Sequence, residues 1–185
     1  LVVAVGNLHP RKGLEELVTA ASQVAADVPT AYWVVVGRDD GMGPELRTRI
    51  ERAGLQGRVR LVGPREDVAR ILAAADVVVH PSRQEGFSNV VLEAMAAARP
   101  LIVTDVGGNA EAVVHGESGL VVSAQDPDAL AGAIKRLLAD PEEAERLGTV
   151  ARRRVEELFT IDRMVGGVAA MYEDLVSRRD GGIHR

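Results

Sequence analysis

The amino-terminal stretch decides the fold class. The apolar run Leu1-Val2-Val3-Ala4-Val5 passes into the loop Gly6-Asn7-Leu8-His9-Pro10-Arg11-Lys12-Gly13. A short run rich in β-branched residues is typical of a strand buried on both faces of a sheet. After the loop, apolar residues recur at helical spacing over residues 14–26. Strand, glycine-bounded loop and helix in this order predict the first unit of a parallel α/β sheet.

The same alternation continues along the chain. Five more strand-like runs cover residues 32–36, 59–62, 76–80, 100–104 and 119–122. Further helical segments cover residues 44–53, 67–75, 89–98, 109–115, 127–138, 142–158 and 161–176. We therefore predict a Rossmann-like, doubly wound parallel sheet of about six strands with helices on both faces. This domain would span residues 1–177, followed by a disordered tail at residues 178–185, which are polar and contain glycine.

Composition excludes several classes of protein. A length of 185 residues, 46% of them hydrophobic, fits one globular domain. A net charge of -5 lacks the electrostatic footprint of a nucleic-acid binder. The absence of cysteine excludes disulfides and thiolate sites and suits a cytoplasmic protein. No apolar run approaches the roughly 20 residues of a membrane span, so we expect no transmembrane segment. The chain opens on a strand without an initiator Met, so we expect a fragment cut at a domain boundary.

Two loops are predicted to form a ligand site. In the common strand order 3-2-1-4-5-6, strands one and four are neighbours, and ligands bind where the winding reverses. The loops that leave these strands are residues 6–13 and 81–88. In the first loop, backbone N–H groups at a helix start favour an anion, and Lys12 adds a positive charge. The sequence therefore indicates a phosphate site, although a solvated turn carrying Arg11 and Lys12 fits the composition equally.

The second loop adds two carboxylates. It reads Ser82-Arg83-Gln84-Glu85-Gly86-Phe87-Ser88-Asn89 and runs into the helix of residues 89–98. Ser88 is a natural N-cap, and Glu93 lies roughly 7 Å beyond it along the helix axis. Carboxylate, free amides and carboxylate in line suit a sugar, a diphosphate and a ribose. The alternatives are a surface loop acid at Glu85 and an exposed helix stripe at Glu93.

Five motifs in the same order resemble one family. The segment Glu85-Gly86-Phe87-Ser88-Asn89-Val90-Val91-Leu92-Glu93-Ala94-Met95-Ala96 resembles the signature of the retaining family 4 glycosyltransferases, which have the GT-B fold. Further matches are Val5-Gly6-Asn7-Leu8 ahead of Lys12-Gly13, Ala74-Ala75-Asp76 before Pro81-Ser82, Val106-Gly107-Gly108 before Glu111, and Gly119-Leu120-Val121 before Asp126-Pro127. The resemblance covers nearly the whole chain. It implies that this chain is the carboxyl-terminal, donor-binding half of a GT-B fold.

The resemblance also implies roles for residues. Glu93 would hold the ribose hydroxyls of a nucleoside-diphosphate sugar, Glu85 would face the transferred sugar, and Lys12 would neutralise the diphosphate. The other donor-binding positions would be Gly6, Asn7, Arg11, Arg38, Gly86, Phe87, Ser88, Asn89 and Val90. Residues 64–66 would border the base.

Two positions depart from the family pattern. Many members carry arginine where this chain has Asn7, so either Arg11 or Arg38 compensates or donor affinity is lower. Ala98 stands where glycine is frequent, which we interpret as a small packing change.

The implied activity is transfer of a sugar to an acceptor hydroxyl with retention at the anomeric carbon, by a hexosyltransferase-like enzyme. Charge grows on the leaving diphosphate, so Lys12 and the helix start at Ser88 are the candidates for electrostatic catalysis. Glu85 would orient the sugar.

No metal or other cofactor is expected. Asp126-Pro127-Asp128 has the pattern of a helix start, and the four histidines do not fall at ligand spacing. His80 is predicted to pack at the end of strand four, and a cation at Asp39-Asp40 remains open.

The resemblance implies two partners, a nucleotide sugar and an amino-terminal acceptor domain that this chain lacks. Residues 161–176 would reach toward that domain, and any association with a membrane would reside there. We therefore expect the isolated chain to bind nucleotide without turnover. Two alternatives are a nonenzymatic nucleotide-sugar binding module and another GT-B enzyme, such as a sugar-nucleotide epimerase.

Overall fold

Six parallel strands form one sheet in a computed structural model that describes residues 1–180. The strands are β1 (Val2–Val5), β2 (Trp33–Val36), β3 (Val59–Leu61), β4 (Val77–His80), β5 (Leu101–Thr104) and β6 (Leu120–Val122). Their order is β3-β2-β1-β4-β5-β6, and every pair is parallel. The predicted strand order is confirmed, and the winding direction reverses between β1 and β4.

Eight α-helices connect and follow the strands within the described residues. They are α1 (Leu14–Asp27), α2 (Gly43–Arg52), α3 (Val68–Ala73), α4 (Asn89–Ala96), α5 (Asn109–Ala112), α6 (Pro127–Ala139), α7 (Pro141–Leu158) and α8 (Ile161–Asp180). A single 3-10 turn at Pro10–Lys12 precedes α1.

The helices cover both faces of the sheet, as predicted. Side chains alternate along β1, so Val2 and Ala4 join one apolar core while Val3 joins the other. The first core also contains apolar residues of α1, α2 and α6, and the second contains residues of α3, α4 and α7. Burial on both sides therefore explains why the strand runs are mostly apolar; β3, at the edge of the sheet, contains the exposed Arg60.

Two helices end three or more residues away from their predicted ends. Helix α5 ends at Ala112, three residues before the predicted end at 115, because Val113 turns to an extended conformation. The chain then forms a bridge between His115 and Gly119, and the Nδ1 atom of His115 accepts from the N–H of Val121 at 3.0 Å. At the other end of the chain, α8 continues to Asp180, so it extends into the predicted tail 178–185. Residues 181–185 lie outside the described residues.

Ala98, which stands where glycine is frequent in the family, has an unusual backbone conformation. Its φ angle is 53°, in the left-handed region that favours glycine. A Cβ atom at Gly148 on the neighbouring helix α7 would lie 2.3 Å from the carbonyl oxygen of Ala98. The interpretation as a small packing change was therefore wrong, because alanine here retains a strained turn after α4.

Helix α8 differs from the others in its environment. Each residue whose side chain is described, from 161 to 177, is exposed, including Ile161 at 75% and Tyr172 at 62%. Among residues 1–180, no helix has the length and apolar character that crossing a membrane would require.

Candidate functional site

The two predicted loops meet at the carboxyl ends of β1 and β4. These strands are paired, and the N–H of Arg83 in the second loop donates to the carbonyl of Arg11 in the first at 2.7 Å. Gly13 makes the closest approach, because a Cβ atom there would lie 1.9 Å from the carbonyl oxygen of Pro81. Its φ of 63° is also in the glycine-favouring region. Backbone contact therefore holds the two sides of the crevice together.

A third loop, after β5, supports the second from the other side. The N–H of Gly108 donates to the carbonyl of Gly86 at 2.6 Å. A Cβ atom at Gly107, whose φ is 53°, would lie 2.1 Å from the carbonyl oxygen of Glu85. The loop that carries Glu85 is therefore fixed between backbone segments that follow β1 and β5.

Glu85 is the electrostatic centre of the crevice. Its side chain is 15% exposed and forms an ion pair with Lys12, which belongs to the opposite loop. The Nε2 atom of His80 lies 3.0 Å from the same carboxylate oxygen, and the hydroxyl of Ser82 donates to it at 3.2 Å. The hydrogen bond from His80, followed by that from Lys12, lowers the pKa of Glu85 to about 2, although burial acts in the opposite direction. Glu85 is therefore an ionised, largely enclosed carboxylate, which the alternative of an ordinary surface acid did not predict.

The sequence reasoning missed two members of this cluster. His80 ends β4 and is 1% exposed, which confirms the prediction that it packs there, but its contact with Glu85 was not foreseen. Ser82 is completely buried, and its motif did not predict a contact with Glu85. The available signal was the polar side chains that follow the apolar run of β4 where the winding reverses. Polar groups that are buried at a strand end need partners, and here the partner is the site carboxylate.

The start of α4 offers unused backbone donors. Ser88 occupies the predicted N-cap position, but its hydroxyl makes no capping hydrogen bond. The carbonyl of Ser88 accepts from Val91 and Leu92. Within residues 1–180, the N–H groups of Asn89 and Val90 have no protein acceptor. These two amides add to the positive end of the helix dipole at this position.

Glu93 lies on the exposed side of α4. Its carboxylate has no hydrogen-bond or ion-pair partner in the part of the chain that the structure describes. Asn89, one turn earlier, is exposed as well. A carboxylate without a protein partner is available to accept from the hydroxyls of a ligand.

Asn7 and Arg38 form a separate network with Asp40. The amide of Asn7 donates to Asp40 at 2.9 Å, and its side-chain oxygen accepts from the N–H of Arg38 at 3.3 Å. The Arg38 guanidinium donates to the carboxylate of Asp40 at 2.7 Å, and this contact lowers the pKa of that carboxyl. Arg11 has no acidic partner among residues 1–180. Of the two arginines expected to compensate for Asn7, Arg11 is therefore the one without an acidic partner in the described part of the chain.

Some of the predicted residues share one cleft, and others do not. A cleft of about 460 Å³ is lined by Asn7, His9, Arg11, Lys12, Asp40, Gln84, Glu85 and Gly86. Gly6 does not line this cleft, but a Cβ atom there would be 3.5 Å from the side chain of Lys12. Phe87 and Asn89 instead line a neighbouring apolar cleft, and the ring of Phe87 packs on Phe159 with centroids 5.4 Å apart. Arg38, Ser88, Val90 and Glu93 do not line the first cleft, and residues 64–66 lie in the exposed loop between β3 and α3.

The acidic residues considered for a cation have protein partners. Asp39 accepts from the N–H groups of Gly41 and Gly43 at 3.0 and 2.8 Å at the start of α2. Asp126 accepts from the N–H of Ala129 at 2.9 Å, which confirms it as the N-cap of α6. In the described range 1–180, no group of three or more histidine and acidic side chains could hold a metal ion.

The amino-acid sequence of this chain is similar to those of known proteins. The family described as "Glycosyl transferases group 1" matches residues 1–140. A D-inositol 3-phosphate glycosyltransferase of Jonesia denitrificans is 36% identical over 181 residues, which cover 94% of this chain and 42% of that protein. The lipopolysaccharide core biosynthesis mannosyltransferase LpcC of Rhizobium leguminosarum is 33% identical, with coverages of 95% and 51%. This chain therefore spans about half the length of these relatives.

Solved structures share the fold. The sucrose-phosphate synthase of Thermosynechococcus elongatus superposes with a TM-score of 0.85 at 37% identity, covering 96% of this chain and 46% of that one. Anabaena HepE in complex with UDP-glucose gives a TM-score of 0.85 at 29% identity, with coverages of 94% and 48%. Both matches again extend over about half of the other chain.

Proposed function

Since this chain belongs to the glycosyl transferases group 1 family and has the fold of one half of a GT-B enzyme, we propose that it is the donor-binding domain of a retaining glycosyltransferase. The observation that carries the proposal is the Lys12–Glu85 ion pair, which joins the two loops where the winding of the sheet reverses. Doubly wound sheets bind ligands at that position. The ligand we propose is a nucleoside-diphosphate sugar, the class of compound found in the HepE complex.

The diphosphate would be held from two sides. Lys12 and Arg11 supply positive charge from the first loop, and both line the cleft. The free N–H groups of Asn89 and Val90 supply donors from the start of α4, a helix of eight residues. Cations and helix amides together form a common anion site in proteins, so an overall negative chain can bind a diphosphate locally.

The carboxylates would hold the two sugars. Glu85 is ionised and has one oxygen without a protein partner within residues 1–180, so it can accept from hydroxyls of the transferred sugar. Glu93 is exposed and has no partner where the structure describes the chain, and it would accept from the ribose hydroxyls. The order of carboxylate, anion site and carboxylate along the chain matches the order of sugar, diphosphate and ribose in the donor.

The reaction breaks the bond between the anomeric carbon and the diphosphate oxygen and forms one to the acceptor oxygen on the same face. Negative charge grows on the departing diphosphate, and one of its oxygens would take the proton that the acceptor hydroxyl loses. Lys12, which lines the cleft, and the free amides at the start of α4 would stabilise this charge. Glu85 would orient the sugar and offset positive charge on its ring, without acting as a nucleophile, and no cofactor or metal is part of the proposal.

The acceptor side would come from an amino-terminal domain of the kind that completes a GT-B cleft. Helix α8 supports this proposal, because its apolar residues are exposed and recur at helical spacing; they are Ile161, Met164, Val165, Val168, Met171, Tyr172, Leu175 and Val176. We propose that this stripe packs on the acceptor domain. This chain alone would then bind the donor but transfer no sugar.

The relatives favour a transferase over the two alternatives, an epimerase and a nonenzymatic module. The curated relatives reported above bear the names of sugar transferases. A binding module without chemistry would also have no need of Lys12, Glu85 and Glu93 together.

Isothermal titration calorimetry with UDP, GDP, ADP and their glucose or mannose derivatives tests the donor site. At least one pair is expected to bind, and Lys12→Ala and Glu93→Ala should each weaken binding about tenfold, the effect of one lost charge-assisted contact. Glu145→Ala is the matched control, because Glu145 is an exposed acid on α7 away from the crevice. Binding of no member of the panel, or equal binding by all three variants, would contradict the proposal.

A further inference from the structure

The two oxygens of the Glu85 carboxylate have different surroundings. Oε1 accepts hydrogen bonds from Lys12, His80 and Ser82. Oε2 has no protein partner among residues 1–180. Because an ionised carboxylate has no proton to donate, the Nε2 atom of His80 carries the proton in this contact.

The two uncharged donors to Oε1, His80 and Ser82, are buried and connected to further hydrogen bonds. His80 and Ser82 are 1% and 0% exposed, and Nε2 lies 3.2 Å from the hydroxyl oxygen of Ser82. The hydroxyl of Thr104, which ends β5, donates to the carbonyl of Ser82 at 2.6 Å. Asn109 then donates to the carbonyl of Thr104 at 3.1 Å. A buried polar ladder therefore runs beneath the crevice from β5 to Glu85.

If His80 and Ser82 served only to stabilise the fold, polar side chains would not be needed at these positions. An apolar side chain at position 80 would continue the pattern of β4, whose other residues are all valine. Burying an imidazole and a hydroxyl is unfavourable unless each finds a partner. Here the partner of both groups is the same oxygen atom of the site carboxylate.

We propose that His80 and Ser82 are positioning residues that hold Oε1 of Glu85 and so present Oε2 to the hydroxyls of the transferred sugar. The nature of the ligand rests on the proposed function above. The orientation of the carboxylate does not, so the two can fail separately.

The first test measures Glu85 itself, without any ligand. The carbon-13 resonance of its carboxyl group is followed by NMR from neutral pH down to about pH 3.5, in the range where a glutamate ordinarily titrates. Glu85 of the wild type should stay ionised, because its pKa is about 2. In His80→Leu the largest cause of that shift is lost, so the pKa should rise toward 4.5.

Three further variants separate positioning from general damage. His80→Gln retains an N–H donor near the Nε2 position and should keep the pKa of Glu85 low. Thr104→Val removes a buried hydroxyl from the ladder without removing a donor to Glu85, so it should raise the pKa of Glu85 less than His80→Leu does. Ser82→Ala removes the smaller donor and should raise the pKa partway, which provides the measurement if His80→Leu does not fold. The other charged or titratable groups that line the cleft stay unchanged in every variant; they are His9, Arg11, Lys12 and Asp40.

The second test measures the sugar contact. For whichever nucleotide sugar of the calorimetric panel binds the wild type, His80→Leu should reduce its affinity about tenfold, as expected for one hydrogen bond to a charged group. The parent nucleoside diphosphate should bind within about twofold of the wild type, and His80→Gln should restore the sugar contact.

The outcomes distinguish the two ideas. If Glu85 titrates alike in the wild type, His80→Leu and Ser82→Ala, the positioning role is refuted. If the pKa shifts as expected but no nucleotide binds, the positioning of Glu85 is upheld and the proposed function fails. If nucleotides bind and the affinity for the sugar form does not change relative to the diphosphate, presentation of Oε2 to the sugar is refuted.

Discussion

Replacing Gly13 by alanine tests whether backbone contact between the two crevice loops is what builds the site. The added Cβ atom would lie 1.9 Å from the carbonyl oxygen of Pro81, well inside van der Waals contact, and both partners are backbone or attached to it. No flexible side chain can move aside, so the loops themselves must separate. Because Lys12 is adjacent to Gly13, its ion pair with Glu85 should be disturbed by the same movement.

Two contributions set the magnitude. Alanine at a φ of 63° costs about 1 kcal/mol relative to glycine, and overpacking of a closed contact costs a further 1–3 kcal/mol, roughly. The expected loss is therefore about 2–4 kcal/mol in the free energy of unfolding. Gly54→Ala is a matched control, because Gly54 has a similar φ of 68° but no atom within 4 Å of its added Cβ. It should lose only the conformational contribution of about 1 kcal/mol.

Urea denaturation of the wild type and both variants measures the difference, and calorimetry with the nucleotide panel measures its consequence for binding. Gly13→Ala should be less stable than Gly54→Ala by about 1–3 kcal/mol and should also bind the donor more weakly. If both variants lose the same stability, the contact with Pro81 is not what holds the loops together. If Gly13→Ala is less stable yet binds normally, the loops do not form the site.

Three further predictions concern other parts of the crevice and the turn behind it. The folded-state pKa of Glu85 is lowered from 4.5 to about 2, so its charge stabilises the fold above pH 4.5, and that contribution is lost as the pH falls toward 2. The urea denaturation midpoint of Glu85→Gln should therefore depend less on pH than that of the wild type across this window. An equal pH dependence in both proteins would contradict the assignment. Ala98→Gly should raise the free energy of unfolding by about 1 kcal/mol, because glycine adopts a φ of 53° without strain, and a loss of stability in the same urea assay would refute this explanation. Arg11→Ala should weaken nucleoside-diphosphate binding several-fold, while Arg38→Ala should not, because Arg38 is engaged by Asp40. If calorimetry shows the reverse, Arg38 is the residue whose charge compensates for Asn7.

Much of the fold followed from local pattern. The six strands were predicted because their runs are mostly apolar, as in parallel sheets with two covered faces, and their order was predicted as the common order of doubly wound sheets. The ends of α5 and α8 were not predicted well, since helical periodicity does not show where a chain turns to pair with β6 or where a helix continues without packing. The backbone strain at Ala98 was equally invisible, because a φ angle is set by the turn as a whole.

Some features of the candidate site were also predictable from the sequence, and others were not. The two loops and the residues Lys12, Glu85 and Glu93 were predicted from strand order and motif spacing. The ion pair between Lys12 and Glu85 was not, because it joins side chains 73 positions apart in the sequence. Nor were the roles of His80 and Ser82, since a polar residue at a strand end gives no indication of its partner until the neighbouring loop is in place.

The sequence by itself determined which elements form, which loops leave the carboxyl ends of β1 and β4, and to which family the motifs belong. These properties depend on local periodicity, turn residues and residue types at fixed spacing, all of which are present in the linear chain. Only the tertiary structure decided that Glu85 is enclosed and ionised and that one of its oxygens is occupied. It also decided that Arg38 is engaged by Asp40, while Arg11 has no acidic partner among the described residues. Those properties arise from distances between side chains brought together by the parallel sheet, and electrostatic interaction and hydrogen bonding depend steeply on such distances.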